Sequence, residues 1–380
     1  MESASAKAQP PESSQEEGGY SLPSIPYVRL RFTLRAQEEA WLPAFTGSLL
    51  RGAFGHALRK AVCAMGPGQA CETCRLRSAC VYTRLFETFV EGEPPPFLHG
   101  LATAPRPFVL EPGEGSGRLG KGDGLSFDLL LVGRAVELLD YAVLAVERMA
   151  AGGLGRSRRR FGLEDVRHLD RDGAWRSGLG SEASDMRGVR EVMATPAPER
   201  VSRERINLRF LTPTRIRVKG HLSGGPGFRE LAFAMLRRTL ELAYFYVPGA
   251  DVDWSFHELL ELAGRVRVVG ANLRWHDWRR YSNRQQTSMT LGGFVGDLQL
   301  EGDLGPFLPL LEAATVLHVG KGTTFGLGRV ATDCTGATGA WVPKAEGRAL
   351  GQEQHKGLER PWTVGERSPR LGPPRGVATA

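Results

Sequence analysis

A chain of 380 residues is long for one domain and suits two to three, each with apolar content enough for a packed core. Its 49 Lys and Arg outnumber 42 Asp and Glu, a formal charge of +7, and the excess is mostly arginine, whose planar guanidinium suits phosphate. This favours a polyanionic partner, although a GC-rich genome that substitutes Arg for Lys leaves the same bias. No apolar run reaches the ~20 residues that cross a bilayer, because 129–132 and 138–146 are short and interrupted, and residues 1–19 lack a signal peptide's apolar stretch. A cytoplasmic location without membrane contact is the expectation.

Residues 1–25, rich in Ser, Glu, Pro and Gln, read as a disordered tail. An N-terminal domain is expected over 26–169. Val28, Leu30, Phe32 and Leu34 alternate with Arg29, Arg31, Thr33 and Arg35, the period of a strand with one buried face. A helix is predicted over 47–62, where at ~100° per residue Leu50, Phe54, Ala57, Leu58 and Ala61 share one face and His56, Arg59 and Lys60 the other. Strands are expected at 108–110 and 125–132, a helix over 135–151 and a strand at 161–167. The polar stretch 170–204, poor in large apolar residues, reads as a flexible linker.

The second domain, 205–336, opens as the first does. Ile206, Leu208 and Phe210 alternate with Arg205, Asn207 and Arg209, and the strand resumes at Ile216 and Val218 after Thr212-Pro213. A helix follows at 228–246, strands at 266–273 and 290–300, a helix at 306–317 and a short strand near Gly328. Residues 337–380 read as a second disordered tail. The order β-α-β-β-α-β, twice, makes this an α+β protein of tandem ferredoxin-like (RRM-like) domains, with a cysteine-rich insertion at 63–80 in the first.

His56 stands out because it lies opposite the core face beside two cations. Imidazole gives or takes a proton near neutrality, and neighbouring cations stabilise a charged phosphorane, which suits cleavage of RNA by its own 2′-hydroxyl. An exposed histidine without a role is the competing reading. Gly52 and Gly55 each cost on the order of 1 kcal/mol against alanine inside a helix, so something large is expected to approach the backbone there. Two segments suit nucleic acid: Arg156, Arg158, Arg159 and Arg160 after the Gly152-Gly153 stop, and 274–284, which interleaves Trp275, Trp278 and Tyr281 with Arg274, Arg279, Arg280 and Arg284. Core packing of the two tryptophans is the alternative. The run 318–328, with four glycines and Lys321, can wrap phosphates with backbone amides; its spacing does not fit the Walker pattern, which argues against nucleotide hydrolysis.

Cys63, Cys71, Cys74 and Cys80 carry one tight Cys-x2-Cys knuckle. Four thiolates can close a tetrahedral zinc site, an iron–sulfur cluster uses the same ligands, and unliganded thiols are the third option. Any such metal would be architectural, with no open position for catalysis.

The stretch 45–56 (Phe-Thr-Gly-Ser-Leu-Leu-Arg-Gly-Ala-Phe-Gly-His), the Gly-Leu-Gly segments at 153–155 and 326–328, the Trp275, Trp278, Tyr281, Ser282, Arg284, Gln285 series and His318-Val319-Gly320-Lys321 together resemble the CRISPR-associated RAMP endoribonucleases, the Cas-six family, over residues 27–331. The resemblance implies a tandem ferredoxin-like fold and cleavage of precursor CRISPR RNA within its repeats, without metal, leaving 5′-hydroxyl and 2′,3′-cyclic phosphate ends. It implies a catalytic histidine on the first helix, at His56, and Lys321 as a phosphate ligand; the family's tyrosine and lysine partners have no matching position in this chain, and Lys60 or Arg59 is the expected substitute from its place beside His56. Repeat RNA is the implied partner, together with other CRISPR effector subunits. A non-cleaving repeat-RNA-binding subunit and a zinc-stapled nucleic-acid-binding protein outside CRISPR are the alternatives. The oligomeric state and the repeat sequence are not legible.

Overall fold

The computed structural model describes residues 22–333 apart from 67, 91, 93–97, 99–100, 102, 171–172, 178–189, 193–203, 251, 253 and 283–286; at 190–192, 278–282, 287–290 and 333 it describes the backbone alone. Both expected tails lie almost wholly outside these residues.

The alternating segment forms β1 (Ile25–Ala36), whose Val28, Leu30, Phe32 and Leu34 are fully buried while Arg29, Arg31, Thr33 and Arg35 line the opposite face. After β2 (Ala40–Leu42) comes α1 (Gly47–Val62), at the predicted bounds, which buries Leu50, Phe54, Ala57 and Leu58. Next come β3 (Phe108–Pro112), β4 (Gly117–Leu119), β5 (Gly124–Val132), α2 (Leu139–Gly152) and β6 (Phe161–Leu169). The sheet order β3-β5-β1-β6, antiparallel throughout, is the ferredoxin-like arrangement. Phe32 stacks on Phe127, and Phe54 tilts against Phe108, so the helices and the sheet share one core.

The stretch read as a flexible linker is partly regular. β7 (Trp175–Ser177) extends the sheet beyond β6, and β8 (Arg190–Val192) pairs with the start of β1. Three-residue strands carry too little periodicity to announce themselves; the edges of β6 and β1 recruit them.

The second half repeats the plan: β9 (Arg205–Thr214), the small ribbon β10 (Ile216–Val218) and β11 (His221–Ser223), α3 (Phe228–Tyr246), α4 (His257–Arg265), β12 (Arg267–Ser282), β13 (Thr287–Glu301), α5 (Leu308–Leu317) and β14 (Val330–Asp333). Its sheet runs β12-β13-β9-β14, the same antiparallel order. The short amphipathic α4, absent from the sequence expectation, packs Leu259, Leu260 and Ala263 into the second core. β13 pairs with β9 no further than Phe294, whereas its pairing with β12 continues to Thr287, so the β12–β13 hairpin projects past the sheet as a two-stranded arm.

The halves join through a third apolar cluster. Ile25, Tyr27, Val109, Leu130 and Val132, from the face of the first sheet that α1 and α2 leave open, meet Leu242 and Ala243 of α3 and Ala313 and Leu317 of α5. Among the described residues no helix is long and apolar enough to cross a membrane.

Candidate nucleic-acid interface

α1 presents a solvent ridge at four-residue spacing: Gly52, His56 and Lys60 are all exposed, one turn apart. Gly52 and Gly55 have different causes. A Cβ on Gly55 would strike the Phe86 ring, so the object that approaches there belongs to this chain. Gly52 has nothing within 4 Å and keeps its backbone open beside His56.

Arg59 is turned away from that ridge. It donates to the Gln69 carbonyl (2.7 Å) and lies 5.8 Å from the centre of the Tyr82 ring, which ties the segment after α1 to the helix. Of the two expected cationic partners, Lys60 therefore keeps the exposed position next to His56.

The cysteines sit in that same segment, each half-buried and free. Cys74 N–H closes a turn onto the Cys71 carbonyl (3.3 Å), and Cys63 Sγ lies 3.5 Å from the Gly66 carbonyl. Burial pushes the Cys71 thiol up, away from thiolate, against the opposing pull of the Arg59 guanidinium. Among the described residues no group of three or more His, Cys, Asp or Glu side chains is placed to hold a metal ion. The expected zinc or iron–sulfur site is thus without support among the described residues.

The glycine-rich run connects α5 to β14 and docks onto the first half. A Cβ on Gly47, at the start of α1, would fall on the Phe325 carbonyl oxygen, and the Arg51 guanidinium is held between the rings of Phe86 (4.6 Å) and Phe325 (4.8 Å). Gly326 and Gly328 take φ +82° and +73°, a region side chains avoid, in a turn packed against the Leu110 and Val319 carbonyls. The amides of Val319, Lys321, Phe325, Gly326 and Gly328 all donate to carbonyls of this chain, among them Lys321 N–H to Arg215 O at 2.9 Å. The expected cradle of free amides is therefore largely consumed in shaping the loop, and its offer to an anion is the exposed Lys321 side chain. Partial burial, then the guanidiniums of Arg217, Arg215 and Arg237, push Lys321 below the usual lysine range, so like charges crowd around it.

One buried network was not foreseen. His318, with φ +62°, is fully buried; its Nδ1–H donates to the Leu327 carbonyl (3.0 Å), and its Nε2 lies 3.0 Å from Glu111 Oε1 on β3. Arg29 donates to the same Glu111 oxygen (2.9 Å), and Arg329 stands 3.6 Å from the other. Burial would raise the Glu111 carboxyl, but Arg29, His318 and Arg329 hold it well below the usual carboxylate range. Next to it Arg31 grips Asp128 through two bonds (2.7 and 3.0 Å). The signal was present in the sequence as charged residues inside apolar strands, Glu111 and Asp128 against Arg29 and Arg31; the strand predicted at 108–110 stopped one residue short of Glu111.

Trp275 is half-buried against the second core, with its indole N–H donating to Asp277 (2.9 Å), so core packing accounts for it. The backbones of Arg279 and Arg280 lie on the projecting arm; their side chains, and Arg284 altogether, fall outside the described residues. Arg156, Arg158, Arg159 and Arg160 are all exposed after α2.

Residues 208–330 match the family model of the CRISPR-associated endoribonuclease Cas6, and residues 25–188 match the AF_1859_N model, an N-terminal domain. No protein of curated function matches. A partial Cas6-RT-Cas1-Cas2 complex is 14% identical, over 85% of this chain and 48% of that one, with a TM-score of 0.52, a likeness of fold. Thermus thermophilus Cas6 is 19% identical over 83% of this chain and 100% of that one (TM-score 0.45), and a Cas6 product complex is 19% identical over 82% and 100% (TM-score 0.47).

Proposed function

We propose that this chain, whose residues 208–330 match the Cas6 endoribonuclease model, cuts precursor CRISPR RNA within its repeats by attack of a 2′-hydroxyl on the adjacent phosphorus. The P–O5′ bond breaks, giving a 2′,3′-cyclic phosphate and a 5′-hydroxyl. One proton leaves the attacking hydroxyl and one reaches the departing 5′-oxygen, so proton transfer at imidazole is the chemistry required, and no metal is needed. The observation that carries this reading is the exposed His56 on a helix whose N-terminus packs against the glycine-rich turn that presents Lys321.

His56 exchanges the proton, Lys60 one turn on supplies positive charge to the phosphorane, and Lys321 holds a neighbouring phosphate. The open backbone at Gly52 leaves room for a ribose-phosphate beside the imidazole. CRISPR repeat RNA is the partner of the reaction, and other CRISPR proteins receive its product.

The deciding experiment incubates the full chain in EDTA with repeat RNA from its own array, beside a copy with a deoxynucleotide 5′ to the cut and beside His56→Ala. Cutting that the deoxy substitution blocks and the variant abolishes supports the reading. Binding with no cut in any lane transfers the chain to the non-cleaving repeat-RNA subunits.

A further inference from the structure

Trp41 is 69% exposed, the most exposed large apolar side chain among the described residues. It stands at the middle of β2, with Arg118 of β4 directly opposite it in the ribbon. Opposed side chains of an antiparallel pair emerge on one face with Cβ atoms ~5 Å apart, so indole and guanidinium are neighbours. The turn after α2 closes against the same ribbon. Leu154 and Arg159 exchange both backbone hydrogen bonds (2.8 and 2.9 Å), and a Cβ on Gly155 would stand 3.2 Å from the Trp41 carbonyl oxygen.

The ribbon and the turn that closes on it carry five exposed arginines, 118, 156, 158, 159 and 160, and two carboxylates, Glu38 and Glu39. Glu39 accepts from Nε and Nη2 of Arg118 (3.0 and 3.1 Å); Glu38 accepts from Arg159 (2.9 Å) and from the Arg160 amide (3.0 Å). These bonds fix the rim in place, and among the described residues Arg156 and Arg158 have no carboxylate within ion-pair distance.

We propose that Trp41, Arg118 and the 155–160 turn form a base-stacking platform for single-stranded RNA, a contact additional to the cleavage site that rests on the RNA-processing reading. A large flat indole left in water on a rigid ribbon offers a π-face that any base can cover, and the arginine rim supplies the charge that the flanking phosphates need. An apolar protein surface would have to desolvate that rim, which favours RNA as the occupant. Position agrees: the ribbon's β2 lies between β1 and α1 in the chain, and the first residue of α1, Gly47, meets the glycine-rich turn. Single-stranded RNA leaving the turn can run onto the platform.

The test titrates a fluorescein-labelled oligouridylate, and separately repeat RNA, with the full chain, Trp41→Ala, Trp41→Phe and Arg156→Ala/Arg158→Ala. Trp41→Ala weakens oligouridylate binding about tenfold and Trp41→Phe restores most of it, as expected when a ring face does the work. The double arginine variant flattens the salt dependence, as expected when phosphate charge is lost. Equal oligouridylate affinity for the wild type and Trp41→Ala overturns the platform, as does a wild type that binds repeat RNA but no oligouridylate; both leave RNA processing standing. A wild type that binds neither RNA overturns both readings.

Discussion

α1 and α3 occupy the same place in two copies of one topology, yet they meet different neighbours. α1 packs one face on its own sheet and leaves Gly52, His56 and Lys60 in solvent. α3 packs Leu231, Met235 and Leu236 on its own sheet, and its Leu242 and Ala243 close onto the open face of the first sheet. Its Arg238 is buried, donates to the Leu317 carbonyl (2.6 Å), and is lowered to about 10 by that burial. Docking one half on the other therefore covers the end of α3, whereas the polar ridge of α1 stays in solvent.

Removing the exposed imidazole tests this contrast most severely. His56→Ala is expected to slow single-turnover cutting by about 10²–10⁴-fold, the usual range for a lost proton-transfer group, with repeat RNA binding retained. Rapid cutting by that variant would move the chemistry off α1.

The docking itself is tested at the buried carboxylate beneath the glycine-rich turn. Glu111→Gln leaves Arg29 and Arg329 without their counter-charge and is expected to cost about 3–5 kcal/mol in a denaturant titration. The Glu111 carboxyl is lower when folded than unfolded, so its share of stability is full above its ordinary value of about 4.3 and drains as the pH falls below that. Asp128, pushed up chiefly by burial, acts in the opposite sense. Wild-type melting should thus fall steeply on acidification below about pH 4, and Glu111→Gln should lose most of that slope. Parallel pH profiles would remove Glu111 from the linkage between the halves.

Gly52 and Gly55 separate external from internal contact on α1. Gly55→Ala drives a methyl into Phe86 and should destabilise by about 1–3 kcal/mol. Gly52→Ala meets nothing and should stabilise by about 0.5–1 kcal/mol through helix propensity alone. If RNA lies against the helix at that point, the same variant binds repeat RNA more weakly although it folds better. The smallest expected effect is that of Lys321→Ala, which should weaken binding evenly across RNA sequences and reduce the salt slope by about one ion. An unchanged slope would take Lys321 off the phosphate path.

The elements with strong periodicity were legible beforehand. α1 and α3 run over the predicted residues, and β1 and β9 bury the alternating positions, because burial on one face of a long element imposes a period that local sequence must honour. Short pieces escaped for the converse reason: α4, β7 and β8 are too brief to display a period and exist because neighbours offer an edge or a groove. The same distinction divides the site. His56 and Lys60 are visible on the polar side of a helix, whereas for Trp275 sequence leaves stacking and core packing both open, and the fold sets it against Gly292 and the second core.

By itself the amino-acid order determined the two β-α-β-β-α-β halves, the buried faces of their long elements and the exposed position of His56, since these follow from periods within single segments. Tertiary structure alone decided what those segments meet: Glu111 of β3 with His318 some two hundred residues later, Arg59 turned back to Gln69, Gly55 closed by Phe86, and Trp41 left in the open beside the 155–160 turn. Such pairings depend on how the two halves dock and how long connections fold back, and the period of a single segment holds no record of its distant partner.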